Sequence, residues 1–186
     1  MKQAISIFWF RRDLRWQDNV GLYHALYQAK LGGHQVLPMF IFDKTILDQS
    51  EDKADRRVDF IHQTLTRLQG DLVAKGKTLW VRYGKPLEVF EQLFSEYKIQ
   101  SVYTNHDYEP YARKRDVALN EVFKENKIEF KTCKDQVIFE KSEVVKDDGS
   151  PYVVYTPYSK KWKDAFSKIK LSYYNSEEKL DKIINH

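Results

Sequence analysis

Cysteine, proline and glycine are scarce in this chain, whose 186 residues include one cysteine, five prolines and seven glycines. The single cysteine, Cys133, excludes an internal disulfide, as is usual in the reducing cytoplasm. No stretch approaches the ~20 apolar residues that a membrane span needs, and the first apolar run is too short before its charges for a signal peptide. The sequence therefore predicts a cytoplasmic protein with no membrane partner.

The motifs of several enzyme classes are also missing. The chain has no GxxxxGK[ST] phosphate loop, no GxGxxG fingerprint, no GxSxG elbow, no HExxH and no CxxC. Its five histidines lack the spacing of metal ligands, so no metal site is expected. A nucleotide-binding regulatory α/β domain, the most distant functional alternative, would carry a glycine-rich loop after a strand, and none is present.

The composition is that of a globular protein. Apolar residues make up 42% of the chain, charged residues 31% and aromatic residues 15%. The formal net charge is +4. This mild excess of basic residues permits contact with nucleic acid but does not demand it.

Short apolar runs alternate with helical patterns along most of the chain. Strands are predicted over 4–10, 34–42, 78–83, 101–105 and 128–133, and helices follow the first four of them, over about 20–30, 56–75, 86–97 and 110–126. Residues 43–55 are predicted to be a loop with one turn of helix. The alternation predicts an α/β fold, a five-stranded parallel Rossmann-like sheet with helices on both faces and the first strand in the centre.

The C-terminal part has a different pattern. Residues 152–155 are predicted to be extended, a helix is predicted from Thr156 to Lys170, and the lysine-rich tail 171–186 is predicted to be a linker outside the core. The folded domain is therefore expected to span 1–170.

Ligands of parallel α/β sheets bind beyond the carboxyl ends of the strands. Arg11, Arg12 and Asp13 follow the first strand and Asp43 follows the second. The arginines after the first strand are candidates for contact with an anion or cofactor. The alternative, which the residues favour, is a structural network in which Asp13 and Asp18 pair with Arg11, Arg12 or Arg15.

The fourth strand is followed by a second polar segment. Asn105, Asp107 and Glu109 offer acceptors for the N–H groups of a heterocycle. They are equally suited to cap the helix that begins at Pro110, with Arg113 and Arg115 paired to Asp107 or Asp116. Both interpretations stay open for Glu109, and capping is favoured for Asn105.

Four segments together resemble the N-terminal α/β domain of DNA photolyases and cryptochromes. They are FWFRRDLRWQDNVGL, MFIFDKTIL, NHDYEPYARKRD and PYVVYTPYSKKW, in the family's order and over roughly the first 165 residues. The resemblance implies the antenna-binding domain of a deoxyribodipyrimidine photolyase, whose full-length form repairs pyrimidine dimers in DNA with blue light. The alternative is the same domain of a cryptochrome blue-light receptor.

The resemblance also implies what lies outside this chain. Family members hold their catalytic FAD in a helical C-terminal domain, which is expected to be this domain's partner and is absent here. Residues 171–186 are then the start of the interdomain linker. Damaged DNA is expected to bind through the full-length protein, and the chain alone is expected to be enzymatically inactive.

The resemblance assigns the antenna site residue by residue. The stretch Phe40 to Leu47, the arginine Arg57 and the acids Asp107 and Glu109 match contacts to a flavin-type antenna. Relatives with a folate antenna use a histidine after the second strand, and no histidine occurs between His34 and His62. A flavin-type chromophore such as FMN or a deazaflavin is therefore favoured, and a folate is the alternative. The full predicted cofactor-binding set is Arg11, Phe40, Phe42, Asp43, Leu47, Arg57, Asn105, Asp107 and Glu109.

Overall fold

A computed structural model describes residues 2–49 and 55–185 of the chain. The strands are β1 (Ala4–Phe10), β2 (Gln35–Asp43), β3 (Trp80–Gly84), β4 (Lys98–Asn105) and β5 (Glu129–Cys133). The α-helices are α1 (Val20–Gly32), α2 (Lys44–Leu47), α3 (Arg56–Val73), α4 (Pro86–Glu96), α5 (Pro110–Glu125) and α6 (Tyr155–Ser167). A 3₁₀ helix spans Ser176–Lys182.

The five strands form one parallel sheet in the order β3-β2-β1-β4-β5. The predicted fold, with the first strand in the centre, is confirmed. Pro38 lies inside β2, opposite Phe8 of β1, and β3 pairs with β2 only from Met39 onward. The proline therefore precedes the part of β2 that has a neighbour on both sides, which explains how an inner strand accommodates a residue without an N–H donor.

Strand alternation divides the core into two layers. Phe8 and Phe10 point to one face of the sheet, and Ile5, Ile7 and Trp9 point to the other. The first layer is completed from α1 and α3 by Leu22, Leu26, Leu65, Leu68 and Leu72. The second layer is completed from α4 and α5 by Val89, Phe90, Leu93, Leu119 and Phe123.

The ends of several elements differ from the prediction. β4 begins at Lys98 and not at the predicted Ser101, because the three preceding residues also belong to the strand. Residues 152–154, which were predicted to be extended, form no strand. α6 begins at Tyr155 and ends at Ser167 rather than at Lys170. The predicted turn of helix after β2 is present as α2, while residues 50–54 of the predicted loop 43–55 lie outside the described residues.

The C-terminal tail is the clearest correction. Leu180, Ile183 and Ile184 are at most 7% exposed, so the prediction that 171–186 contributes nothing to the core is wrong. Ile183 bridges to Val36 of β2, and the hydroxyl of buried Ser176 donates to the carbonyl of Trp16 at 2.5 Å. The tail follows the sheet and closes the first core layer next to α1.

No helix in the described part of the chain is long and apolar enough to cross a membrane.

Candidate functional site

A cavity of about 450 Å³ opens at the carboxyl ends of β1 and β2, between α2, α3 and the start of α5. Seven of the nine predicted site residues line it: Arg11, Phe40, Phe42, Asp43, Leu47, Arg57 and Asp107. The remaining two, Asn105 and Glu109, do not. This volume is within the range of small-molecule pockets in proteins.

The apolar wall comes mainly from β2. Phe40 and Phe42 are two residues apart, so they project from the same face of the strand, and their rings meet edge to face at 5.0 Å. Leu47 extends the wall from α2. Such a wall offers a flat or hydrophobic ligand a surface from which water is excluded.

Two arginines lie over the ring of Trp9, the last but one residue of β1, at the wall of the cavity. The guanidinium carbon of Arg11 is 4.4 Å from its ring centroid and that of Arg115 is 4.7 Å. Arg11 also makes two bonds of 2.7 Å to the carboxylate of Asp116. Burial lowers the pKa of Arg11, Asp116 opposes that shift, and an arginine remains charged in either case.

Asp43 joins three elements at the cavity wall. It caps α2 by accepting from the Thr45 N–H at 3.0 Å, and it accepts from the Tyr111 hydroxyl at 2.8 Å. Arg115 Nη1 lies 3.5 Å from the same carboxylate. Burial raises the pKa of Tyr111 and Asp43 adds to the rise, so this hydroxyl is a protonated donor at neutral pH.

The two acids after β4 have different positions. The Asp107 side chain is 12% exposed and faces the cavity, whereas that of Glu109 is 60% exposed. Arg12 lies 3.6 Å from Asp107 and 3.3 Å from Glu109. Asp107 accepts from the Glu109 N–H at 3.2 Å, while the Glu109 side chain makes no capping bond to α5. Arg113 forms no ion pair within the described residues, and Asp116 pairs with Arg11 and Arg115.

Asn105 lies beneath the cavity in a buried polar network. Its amide donates to Asp13 at 2.6 Å and to Asn19 at 2.9 Å, and its carbonyl accepts from the Gly21 N–H at 2.9 Å. A Cβ atom on Gly21 would lie 2.6 Å from the Asn105 oxygen, so only glycine permits this contact. The structure uses all the polar groups of Asn105 inside the protein, and a ligand in the cavity does not meet them.

The same network explains the arginine-rich segment after β1. Asp13 accepts from the Arg11 N–H at 2.8 Å, and Arg15 donates to the Asp18 carbonyl at 2.7 Å and to Asp135 at 2.9 Å. Burial raises the pKa of Asp13 despite these bonds. The structural interpretation favoured from the sequence is therefore correct in kind, although none of the carboxylate partners is Asp13 or Asp18. Arg11 pairs with Asp116, Arg12 with Asp107 and Glu109, and Arg15 with Asp135.

The predicted set leaves out nine lining residues: Trp9, Phe10, Arg12, Ile41, Ile46, Asp55, Val58, Ile61 and Arg115. Ile41 and Ile46 lie in the stretch Phe40 to Leu47, which the resemblance assigned to the antenna as a whole. Val58 and Ile61 belong to the apolar stripe of α3, whose periodicity does not distinguish a cavity wall from the core. Arg115 is on α5, and only the fold brings it to β1.

The lining fits a planar, polar heterocycle. Phe40 and Phe42 offer apolar surface, Asp107 offers an acceptor for a ring N–H, and Arg115 offers donors for ring carbonyls. Arg115 Nε and Nη2 are buried and have no hydrogen-bond partner among the described residues, so a carbonyl acceptor would satisfy an unmet need of this side chain. No cluster of metal-ligating side chains is present in the described ranges.

Comparison with known proteins agrees with this geometry. The sequence pattern of the family DNA photolyase matches residues 6–177. A deoxyribodipyrimidine photo-lyase from Synechococcus sp. is 35% identical over 86% of this chain and 32% of its own length. Cryptochrome-1 from Gallus gallus is 27% identical over 81% of this chain and 24% of its own length. The chain thus spans about a third, or less, of these relatives.

Two solved structures share the fold. The class III photolyase from Agrobacterium tumefaciens has a TM-score of 0.77 and 26% identity, covering 94% of this chain and 34% of its own. The archaeal photolyase from Sulfolobus tokodaii, described with two FAD molecules, has a TM-score of 0.70 and 28% identity, covering 98% of this chain and 42% of its own.

Proposed function

The chain belongs to the DNA photolyase family, and from this membership we propose that it is the domain of a deoxyribodipyrimidine photo-lyase that binds a light-harvesting antenna chromophore. The observation that carries the proposal is the cavity at the carboxyl ends of β1 and β2, with its aromatic wall and its convergent Asp107 and Arg115. Ligands of parallel sheets bind at this edge.

The proposed chromophore is of the flavin type. Its ring lies against Phe40 and Phe42, Asp107 accepts from a ring N–H, and Arg115 donates to a ring carbonyl. When bound, such a group absorbs light and passes the excitation to a catalytic flavin. The second FAD of the Sulfolobus tokodaii photolyase supports a flavin in this role, and the absence of histidine between His34 and His62 speaks against a folate.

The activity of the whole protein is part of the same proposal. It is blue-light repair of pyrimidine dimers, with the catalytic FAD and the DNA site in a helical domain that follows this one. Cryptochrome is the second candidate, because cryptochromes are also relatives, but the photo-lyase at 35% identity favours repair. The single cysteine, Cys133, supports a cytoplasmic location.

The antenna site is tested by titration of the chain with FMN and with a reduced folate, followed by tryptophan fluorescence. Flavin binding is expected to quench the emission of Trp9, which lines the cavity. Asp107→Ala removes a nearly buried acceptor and is expected to weaken flavin binding about tenfold. Asp71→Ala, which removes an exposed carboxylate on α3 outside the cavity, is the matched control and is expected to change nothing.

Two outcomes contradict the proposal. One is that the folate binds and FMN does not. The other is that FMN binds with the same affinity to wild type and to Asp107→Ala. A separate assay with added reduced FAD and blue light tests the assignment of catalysis to the following domain, since dimer repair by this chain above a protein-free control would overturn that assignment.

A further inference from the structure

A second concavity, of about 950 Å³, lies between the segment after β1 and the outer face of α3. Five arginines line it in addition to Arg11: Arg12, Arg15, Arg56, Arg57 and Arg67. It shares Arg11, Arg12, Arg57 and Ile61 with the antenna cavity. The two concavities therefore meet along a common rim, and we call the second one the arginine groove.

Helix periodicity explains why these side chains face the groove. Arg56, Phe60, Gln63 and Arg67 follow one another on α3 at spacings of four, three and four, which is one stripe of the helix. Leu65, Leu68 and Leu72 occupy the opposite, buried stripe. The exposed stripe runs for about 16 Å at the usual rise of an α-helix.

The arginine groove carries a surplus of positive charge. Arg12 is shared by Asp107 and Glu109, Arg15 pairs with Asp135 and Arg57 pairs with Asp55. Arg56 and Arg67 have no carboxylate within 4.0 Å in the part of the chain that the structure describes. Asp13 is the one acid among the described residues that lines the groove, and it is 7% exposed and bonded internally.

Phe60 adds an aromatic surface to this charge. Its side chain is 69% exposed and lies on the same stripe of α3 as Arg56 and Arg67. Arg56 lies one helical turn before it and Arg67 two turns after it. An exposed phenylalanine between arginines offers a face for stacking by a base, and guanidinium groups match phosphate oxygens in pairs. The combination is suited to a phosphate ester that carries a base.

We propose that the arginine groove holds the nucleotide tail of the flavin whose ring occupies the antenna cavity, so that this chain selects a flavin dinucleotide. The pyrophosphate lies at the shared rim by Arg12 and Arg57, and the adenosine follows α3 towards Phe60 and Arg67. This inference rests on the proposed function. It adds a selection for phosphate and adenine that the ring site cannot make.

The test compares riboflavin, FMN and FAD by fluorescence titration of the full chain at low and high salt. The dinucleotide is expected to bind about tenfold more tightly than riboflavin, with FMN between them, and salt is expected to narrow the difference. Arg67→Gln and Phe60→Ala are expected to weaken FAD binding about fivefold and leave riboflavin binding unchanged. Both side chains are exposed, so the variants are expected to unfold at the wild-type temperature.

Lys163→Gln is the matched control, because it removes one positive charge from α6, outside both concavities. It is expected to leave all three affinities unchanged. Equal affinity for riboflavin and FAD, with no effect of Arg67→Gln, would overturn the groove assignment and leave the proposed function standing. A failure of all three flavins to bind would overturn both.

The last part of the experiment measures the binding of a single-stranded oligonucleotide to wild type and to Arg67→Gln. If Arg67→Gln weakens binding of the oligonucleotide but not of FAD, the groove serves nucleic acid and the inference is wrong. If FAD and the oligonucleotide compete and Arg67→Gln weakens both, the groove is a phosphate site that the dinucleotide occupies, as proposed.

Discussion

Asn105 Nδ2 lies 2.6 Å from Asp13 Oδ2, which makes the last residue of β4 a direct donor to the carboxylate that follows β1. Both side chains are buried, at 3% and 7% exposure. Their bond fixes the segment from which Arg11 and Arg12 reach the cavity, so the base of the site depends on a contact that no ligand touches.

Asn105→Ala is expected to lower the free energy of unfolding by about 2–4 kcal/mol. The change leaves Asp13, Asn19 and the Gly21 N–H without their partner in a buried position, and unsatisfied buried groups cost more than the bond itself contributes. Urea unfolding measures the effect. Asn120→Ala, on α5 and without a side-chain hydrogen bond in the described residues, is the control, and an equal loss in both variants would contradict the prediction.

Asp116→Ala is expected to lower the free energy of unfolding by about 3–5 kcal/mol, because it leaves the charge of Arg11 buried without its carboxylate. The Arg11 side chain is 6% exposed and holds Asp116 through two bonds of 2.7 Å. Glu121→Ala breaks the exposed pair with Lys124 on the same helix and is expected to change stability by less than about 0.5 kcal/mol. Thermal and urea unfolding measure the loss of stability in both variants. Similar losses would contradict the prediction that the buried Arg11–Asp116 pair contributes more than the exposed pair.

Glu140 is expected to make stability depend on pH in the acid range. Burial would raise its pKa, but bonds from the Tyr108 hydroxyl at 2.5 Å and from His106 at 2.8 Å hold the pKa below its ordinary value of 4.5. The unfolded chain therefore takes up the proton first. The stabilisation is complete above about pH 4.5 and is lost as the pH falls through the lower folded value.

The measurement for Glu140 is urea unfolding of wild type and Glu140→Gln between about pH 3 and pH 7. The advantage of wild type is expected to be largest above pH 4.5 and to shrink on acidification. Glu125→Gln, whose side chain is exposed on α5, is the control. If the stability of wild type relative to Glu140→Gln increases as the pH falls, the prediction is wrong.

Ile183→Ala is expected to lower the free energy of unfolding by about 2–4 kcal/mol, the usual cost of a cavity left by a large aliphatic side chain. Ile183 is fully buried and bridges to Val36, although it lies in the polar C-terminal tail. Leu171→Ala, at a position that is 57% exposed in the same tail, is the control and is expected to be nearly neutral. A neutral Ile183→Ala would mean that the tail is not part of the folded unit.

The sheet was predictable because its signals are local and agree with one another. β1 is a short apolar run, AISIFWF, that ends at two arginines, and its register places Ile5 and Phe8 on opposite faces. Gly33 adopts a left-handed conformation, φ 68°, at the end of α1, and glycine is the usual residue in that conformation at a helix end. Each such signal requires only neighbours in sequence, so no knowledge of the tertiary structure was needed.

The tail was not predictable for the opposite reason. Two charged residues, Asp181 and Lys182, separate Leu180 from the pair Ile183 and Ile184, so the segment resembles an exposed linker when taken alone. Its burial depends on β2, which lies more than a hundred residues earlier in the chain and where the Ile184 N–H bonds to the Val36 carbonyl at 3.0 Å. No local pattern encodes such a docking position.

The candidate site falls between these cases. The strand-end rule found Asp43 and Asp107, because carboxyl ends of parallel strands meet at one edge. The same rule could not separate Asn105 from Asp107, since both residues lie at the end of one strand and only the structure shows that Asn105 lies deeper. Arg115 was considered only as an ion-pair partner, and its place over Trp9 follows from the packing of α5.

The buried tail has a consequence for synthesis on the ribosome. Leu180, Ile183 and Ile184 belong to the two core layers, yet they are translated after every strand of the sheet. The nascent chain therefore emerges with its central strand, β1, covered. The apolar surface beside β2 that the tail will cover, here called the apolar seam, is still exposed to water. Domains of this kind fold as units as they leave the tunnel, so the last step of closure waits for these residues, and a ribosome that pauses shortly before codon 180 holds a sheet whose apolar seam is accessible to a chaperone.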